Sequence, residues 1–162
     1  MKQKEIVSFI LATAALTIIA CGGSGEGSSS STGGGASQDF NLAQTRLQAT
    51  IQAVTMYAGD NEGNLPLANT WMDAVESYTG TTEEPFRSPA VARPNYGFAM
   101  NSAIAGLNLS VFDRPATAAV FDSRVLTRNA TAPTSTLPFP TRYEGGNVIS
   151  YLDGSVRPSG GG

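Results

Sequence analysis

Cys21 is the sole thiol among 162 residues, and the chain contains no histidine. A thiol can be acylated, oxidised, paired or used as a nucleophile. Pairing within the chain needs a second cysteine, and there is none. Without an imidazole, Ser-His-Asp catalysis, Cys-His catalysis and every His-based zinc site are excluded. Carboxylates, tyrosine, serine and arginine are left. Glycoside hydrolysis by paired carboxylates needs two acids facing a cleft at a fixed separation. No spacing in the sequence sets two acids that way, so a carboxylate-based hydrolase ranks last and no enzyme is expected. Gly145-Gly146 lacks a following Lys and Ser/Thr at P-loop spacing, so no phosphate cradle is expected. Asp60, Asn61, Glu62 and Asn64 offer oxygens that calcium could use. Gly63 comes too early for an EF-hand loop, and an Asx/Gly turn after a helix is the simpler reading.

The surroundings of Cys21 select among its options. It closes an apolar run, Ile6 to Ala20, preceded by Lys2 and Lys4. A positive n-region, a short apolar h-region and a small residue before the cleavage point define an export signal over residues 1–20. At about 15 residues the run is too short to span a bilayer. The sequence Ile18-Ile19-Ala20-Cys21, followed by Gly22-Gly23, resembles the lipobox of bacterial lipoproteins. That resemblance implies that the Cys21 thiol is diacylated and becomes the mature N-terminus. The chain is then held to a membrane of the cell envelope by lipid. Gly22, rather than Asp, after the cysteine implies the outer membrane where the host has two.

Residues 22–37 are almost wholly Gly and Ser. Such a segment cannot bury enough apolar area to offset its ordering entropy, and it is read with Cys21 as a flexible tether, 21–37. The net charge is −3, and both lysines belong to the signal, so the mature chain is more acidic. Its cations are scattered arginines: Arg46, Arg87, Arg93, Arg114, Arg124, Arg128, Arg142 and Arg157. No basic block exists, so no binding to nucleic acid through a charged patch is expected. One folded domain is expected over 38–158, with a Gly-rich tail at 159–162.

Within that domain, Asp39 or Ser37 can cap a helix from Phe40 to Ala58. Leu47, Ile51, Val54 and Ala58, extended by Ala43 and widened by Met56 and Tyr57, form its apolar stripe. Gly59 ends it, and Pro66 follows the turn. A short helix is predicted over Trp71–Tyr78, with Thr70 as N-cap, Asp73 at N3 and Gly80 as terminator. Strands are predicted over Tyr96–Met100, Ala116–Phe121 and Asn147–Leu152. Asp153-Gly154 then turns a hairpin into Ser155–Arg157. Arg124–Arg142 lacks periodicity and reads as a long surface loop. The predicted class is α+β, with an N-terminal α-helix packed on a small antiparallel β-sheet.

Five motifs in order resemble bacterial type IV pilin-like proteins and type II secretion pseudopilins. Leu47 to Pro66 is similar to that group's helix and following Tyr-Ala-x-Asp-Asn-x-Gly-x-x-Pro loop. Phe86-Arg87-Ser88-Pro89 is similar to its Phe-x-Cys-Pro, with Ser88 in the Cys place. Tyr96–Asn101 and Pro115–Ser123 resemble its central strands. Tyr143, Gly145, Gly146, Asn147, Asp153 and Gly154 resemble its C-terminal His-x9-Asp-Gly signature, with Tyr143 in the His place. The resemblance implies a pilin-like globular head. Pilins also begin with a cleavage site before a long apolar helix that anchors and polymerises them. Met1 to Gln38 carries neither, so assembly as a fibre subunit is not expected. Some pseudopilins keep calcium near their C-terminal loops, which implies calcium for Asp122, Glu144 and Asp153. The plainer roles are a strand-end cap or ion pair for Asp122 and the first position of a type I′ turn for Asp153. The expected function is non-catalytic display of the domain to a protein or envelope partner, with a secretion or pilus system as one such partner. A small-ligand or calcium-binding module is the alternative.

Overall fold

The computed structural model describes residues 34–160. Cys21, the predicted signal and most of the tether lie outside them. Helix α1 spans Gly34–Asp60 and starts before both predicted caps. Ala43, Leu47, Ile51, Val54 and Ala58 are all buried, as their spacing requires. Met56 instead faces solvent, at 55% exposed. It lies about 200° around the helix from Val54, beyond the edge of the stripe. The chain then turns through Glu62 and Gly63, both at positive φ, and the Gly63 N–H reaches back to Ala58 O at 2.7 Å.

Helix α2 is Trp71–Val75, shorter than predicted, and continues as a 3-10 turn over Glu76–Thr79 that Gly80 closes in the left-handed region. Thr70 makes no side-chain cap bond. Asn129, far along the chain, takes that role: its Oδ1 accepts the Met72 N–H at 2.7 Å. The Trp71 indole N–H donates to Ala130 O at 2.9 Å.

Five strands form one sheet: β1 Phe98–Asn101, β2 Ala118–Asp122, β3 Thr131–Ala132, β4 Asn147–Tyr151 and β5 Val156–Ser159. Their order is β3-β1-β2-β4-β5. The β1–β2, β2–β4 and β4–β5 pairs are antiparallel, as expected. The β1–β3 pair is parallel, so the sheet is mixed. β3 arises inside the stretch read as a surface loop. That stretch folds back over the sheet and buries Ala130 and Ala132 with Phe121 and Ile149.

The other sheet face meets α1. Phe98, Met100, Ala119, Val120 and Val148 pack there with the helix stripe, Trp71 and Phe86. Burying each such large side chain contributes roughly 1.5–3 kcal/mol. Ala119 and Val120 both face α1, although strand neighbours normally alternate. A register shift in β2 between Ala118 and Phe121 explains this. Ser150 bridges the irregularity, accepting from Val120 N–H at 3.1 Å and donating to Val120 O at 2.8 Å.

The β4–β5 turn differs from the expected two-residue I′ form. Asp153 is absent from the positive-φ residues while Gly154 has φ 86°. Both the Gly154 N–H to Tyr151 O and the Tyr151 N–H to Ser155 O bonds form. This is a three-residue loop with glycine in the left-handed position. Among the described residues, no helix is long and apolar enough to cross a membrane.

Candidate functional site

The structure gathers part of the predicted signature into one buried polar cluster. Ser88 follows a 3-10 turn over Glu84–Phe86, Asp122 ends β2, and Arg142 and Tyr143 precede β4. The Ser88 and Tyr143 hydroxyls are 2.7 Å apart. Ser88 Oγ also donates to Asp122 Oδ1 at 3.3 Å. Arg142 Nη1 donates to the same oxygen at 3.2 Å and to Gly97 O at 2.6 Å. Its other terminal nitrogen donates to Ser123 O. Asp122 Oδ2 accepts the Val148 N–H at 2.7 Å. Asn147 accepts from Arg142 N–H at 3.2 Å and donates to Pro138 O at 2.9 Å. The positions resembling Cys and His are thus in contact, occupied by Ser88 and Tyr143.

Gly97 makes this closeness possible. It has φ +85°, and a Cβ there would lie 2.7–2.9 Å from Val91, Arg142 and Ser88 side-chain atoms. Gly145 lies against the Phe40 ring, and Phe40 meets Tyr143 edge-on at 5.8 Å between centroids.

The cluster is dry: Asp122 and Ser88 are 0% and 1% exposed. Burial pushes the Asp122 carboxyl up to about 6, against the downward pull of the Val148 N–H and Arg142. Burial, with the Asp122 charge behind it, also raises the Tyr143 phenol above its ordinary value. A serine nucleophile needs a neighbour that takes its proton. Ser88 has a tyrosine that holds its own proton more tightly and, at 3.3 Å, the Asp122 carboxyl, which also accepts from Arg142 and the Val148 N–H. A cleft of about 320 Å³ opens beside it, lined by Arg46, Glu84, Arg87, Val91 and Arg93. Arg46 and Arg93 both pair with Glu84 across that cleft. As arranged, the donors and acceptors of the buried cluster satisfy one another and hold four segments together: 88, 97, 122–123 and 142–148.

The three residues proposed for calcium do not converge. Asp122 binds near the start of β4, Asp153 lies in the turn beyond its end, and Glu144 is exposed. Asp153 is five positions along the chain from Val148, the partner of Asp122, about 16 Å at strand rise. Asp153 Oδ1 accepts from the Ser155 N–H and Oγ, and Oδ2 accepts from Arg157 at 3.2 Å. Its carboxyl is held below the usual range, first by the Ser155 hydroxyl. Among the described residues, no three His, Cys, Asp or Glu side chains group as metal ligands. In the turn after α1, Asn61 Nδ2 donates to Tyr57 O and Asp60 accepts from the Tyr78 hydroxyl.

A second ionic cluster lies at the surface and was missed in the sequence. Arg128 Nε donates to Asp73 at 2.8 Å, and its terminal nitrogens bond Glu76 at 3.1 Å, Tyr96 Oη at 3.0 Å and Glu83. Glu83 also pairs with Arg87 at 2.7 Å, whose guanidinium lies 3.8 Å over the Tyr96 ring. Nothing local links residues 73, 83, 96 and 128. Only the docking of the 126–130 segment on α2 brings them together.

Set against protein-family models, curated proteins and solved structures, the chain matches none of the three.

Proposed function

We propose that this chain is a lipid-anchored envelope protein that displays its α+β domain as a non-catalytic recognition module. The lipobox-like Cys21 supplies the anchor, the Gly/Ser tether gives it reach, and the pilin-like resemblance suggests a secretion or pilus apparatus as one partner class. The observation that carries the non-catalytic part is the self-satisfied cluster of Ser88, Asp122, Arg142 and Tyr143. The signature residues with chemical potential are engaged in holding the fold, which leaves the outer surface for partners. In a host with two membranes, Gly22 favours the outer one.

Fractionation of cells carrying wild type or Cys21→Ser tests the anchor. Wild type partitions with membranes, and Cys21→Ser moves to the soluble fraction or keeps its signal. Equal membrane partition with normal processing of both overturns the reading.

A further inference from the structure

Phe139 is the most exposed large apolar side chain among the described residues, at 91%. Pro138 and Pro140 restrict the backbone on either side of it. Asn147 holds the Pro138 carbonyl at 2.9 Å, which pins the loop to the start of β4. That same corner packs on the N-terminal end of α1 through the Phe40–Tyr143 contact. Leu42, in the next half-turn of α1, is 41% exposed. Phe139 and Leu42 sit at the end from which the chain runs back toward Cys21, whereas Met56, Leu67, Leu107 and Val111, all less exposed than Phe139, lie toward the other end of α1. About 12 residues separate Cys21 from Gly34, roughly 20 Å as a mean coil and about 40 Å fully extended.

We infer that Phe139 is a second membrane contact, its ring seated in the headgroup–acyl boundary of the bilayer that holds the Cys21 lipid. This rests on the lipid-anchor reading above. Phe, like Trp and Leu, is among the apolar side chains that interfacial segments bury at the headgroup–acyl boundary. The two acyl chains on Cys21 already suffice for attachment, so the ring sets orientation rather than affinity. The tether keeps the head at high effective concentration near the surface, so one ring can bias its orientation. A protein partner fits less well, because one ring offers far less area than a specific interface buries. The contact points the N-terminal end of α1 at the membrane and leaves the β4–β5 turn and the far end of α1 facing outward.

The test uses the full lipidated chain in vesicles of phosphatidylethanolamine and phosphatidylglycerol. Phe139→Trp adds a reporter to a protein whose one native tryptophan, Trp71, is buried. Expected is a blue shift of the added emission on reconstitution and its loss when the acyl chains carry bromine, with the wild-type emission unchanged. If the protein floats with vesicles but bromine leaves the added emission intact, the Phe139 contact is overturned and the anchor stands. Shielding that grows with protein concentration, without bromine quenching, overturns it in favour of a second copy. If the protein does not float at all, the anchor reading fails and this contact fails with it.

Discussion

The two ionic clusters use the same side-chain types and obey opposite rules. Asp122 and Arg142 meet in the dry interior, with side chains 0% and 12% exposed. Arg128 meets Asp73, Glu76 and Glu83 at the surface, where the acids are 33–50% exposed. In the first, burial dominates and lifts the Asp122 carboxyl to about 6. In the second, Arg128 hydrogen bonds hold Asp73 below its usual range, and Arg87 followed by Tyr96 does the same for Glu83. A buried pair pays a desolvation cost that its partners only partly return, whereas a wet pair keeps its charge easily and gains little. The dry cluster therefore fixes geometry, by making any other arrangement of its four segments worse. The wet cluster ties the 126–130 segment to α2 gently.

Removing one partner from each cluster separates the two most sharply. Asp122→Ala leaves the Val148 N–H and the Ser88 hydroxyl without their acceptor in the interior and removes the counter-charge of Arg142, which keeps only Gly97 O and Ser123 O. Urea unfolding is expected to show a loss of about 3–5 kcal/mol, insensitive to salt. A loss below about 1 kcal/mol would erase the distinction between the clusters.

The pH dependence comes next. Asp122 has its folded value, about 6, above its ordinary 3.8, so the native state binds the proton more tightly. Its contribution is fully present below about pH 4 and is lost as pH rises through 6. The gap corresponds to about 3 kcal/mol. Asp73 and Glu83 run the other way: their contribution is present above the ordinary carboxylate range and is lost as pH falls below it. Between pH 4.5 and 7, wild-type stability should fall with rising pH, and Asp122→Asn should abolish that slope. Equal slopes in both proteins would show that Asp122 is not the titrating group.

Arg128→Ala should have the smallest effect, about 1 kcal/mol, shrinking further in 1 M salt. An Arg128 effect as large and as salt-resistant as that of Asp122 would break the comparison.

Local signals carried much of this fold. The α1 stripe, the Trp71 helix, the β1, β2 and β4 cores and the Asp-Gly hairpin all follow from period and punctuation within a few residues. What escaped is long-range. Asn129 caps α2 across 57 residues, and Ala130 accepts from Trp71 across 59. No pattern within 124–142 announces either contact, because β3 has two residues and the segment is held by partners elsewhere. The candidate cluster was half legible. Tyr143, Asn147 and Ser88 stood out through a resemblance, while Arg142 and Gly97 became meaningful only when their neighbours were visible. That β4 lies between Asp122 and Asp153 is likewise not visible in sequence order.

The central claim, an anchored and displayed domain, is tested most directly by the intact mass of the protein extracted from membranes. The account predicts a chain that begins at Cys21 and carries a diacylglyceryl group on its sulfur. A membrane-bound chain that retains residues 1–20, or begins elsewhere without lipid, would contradict it.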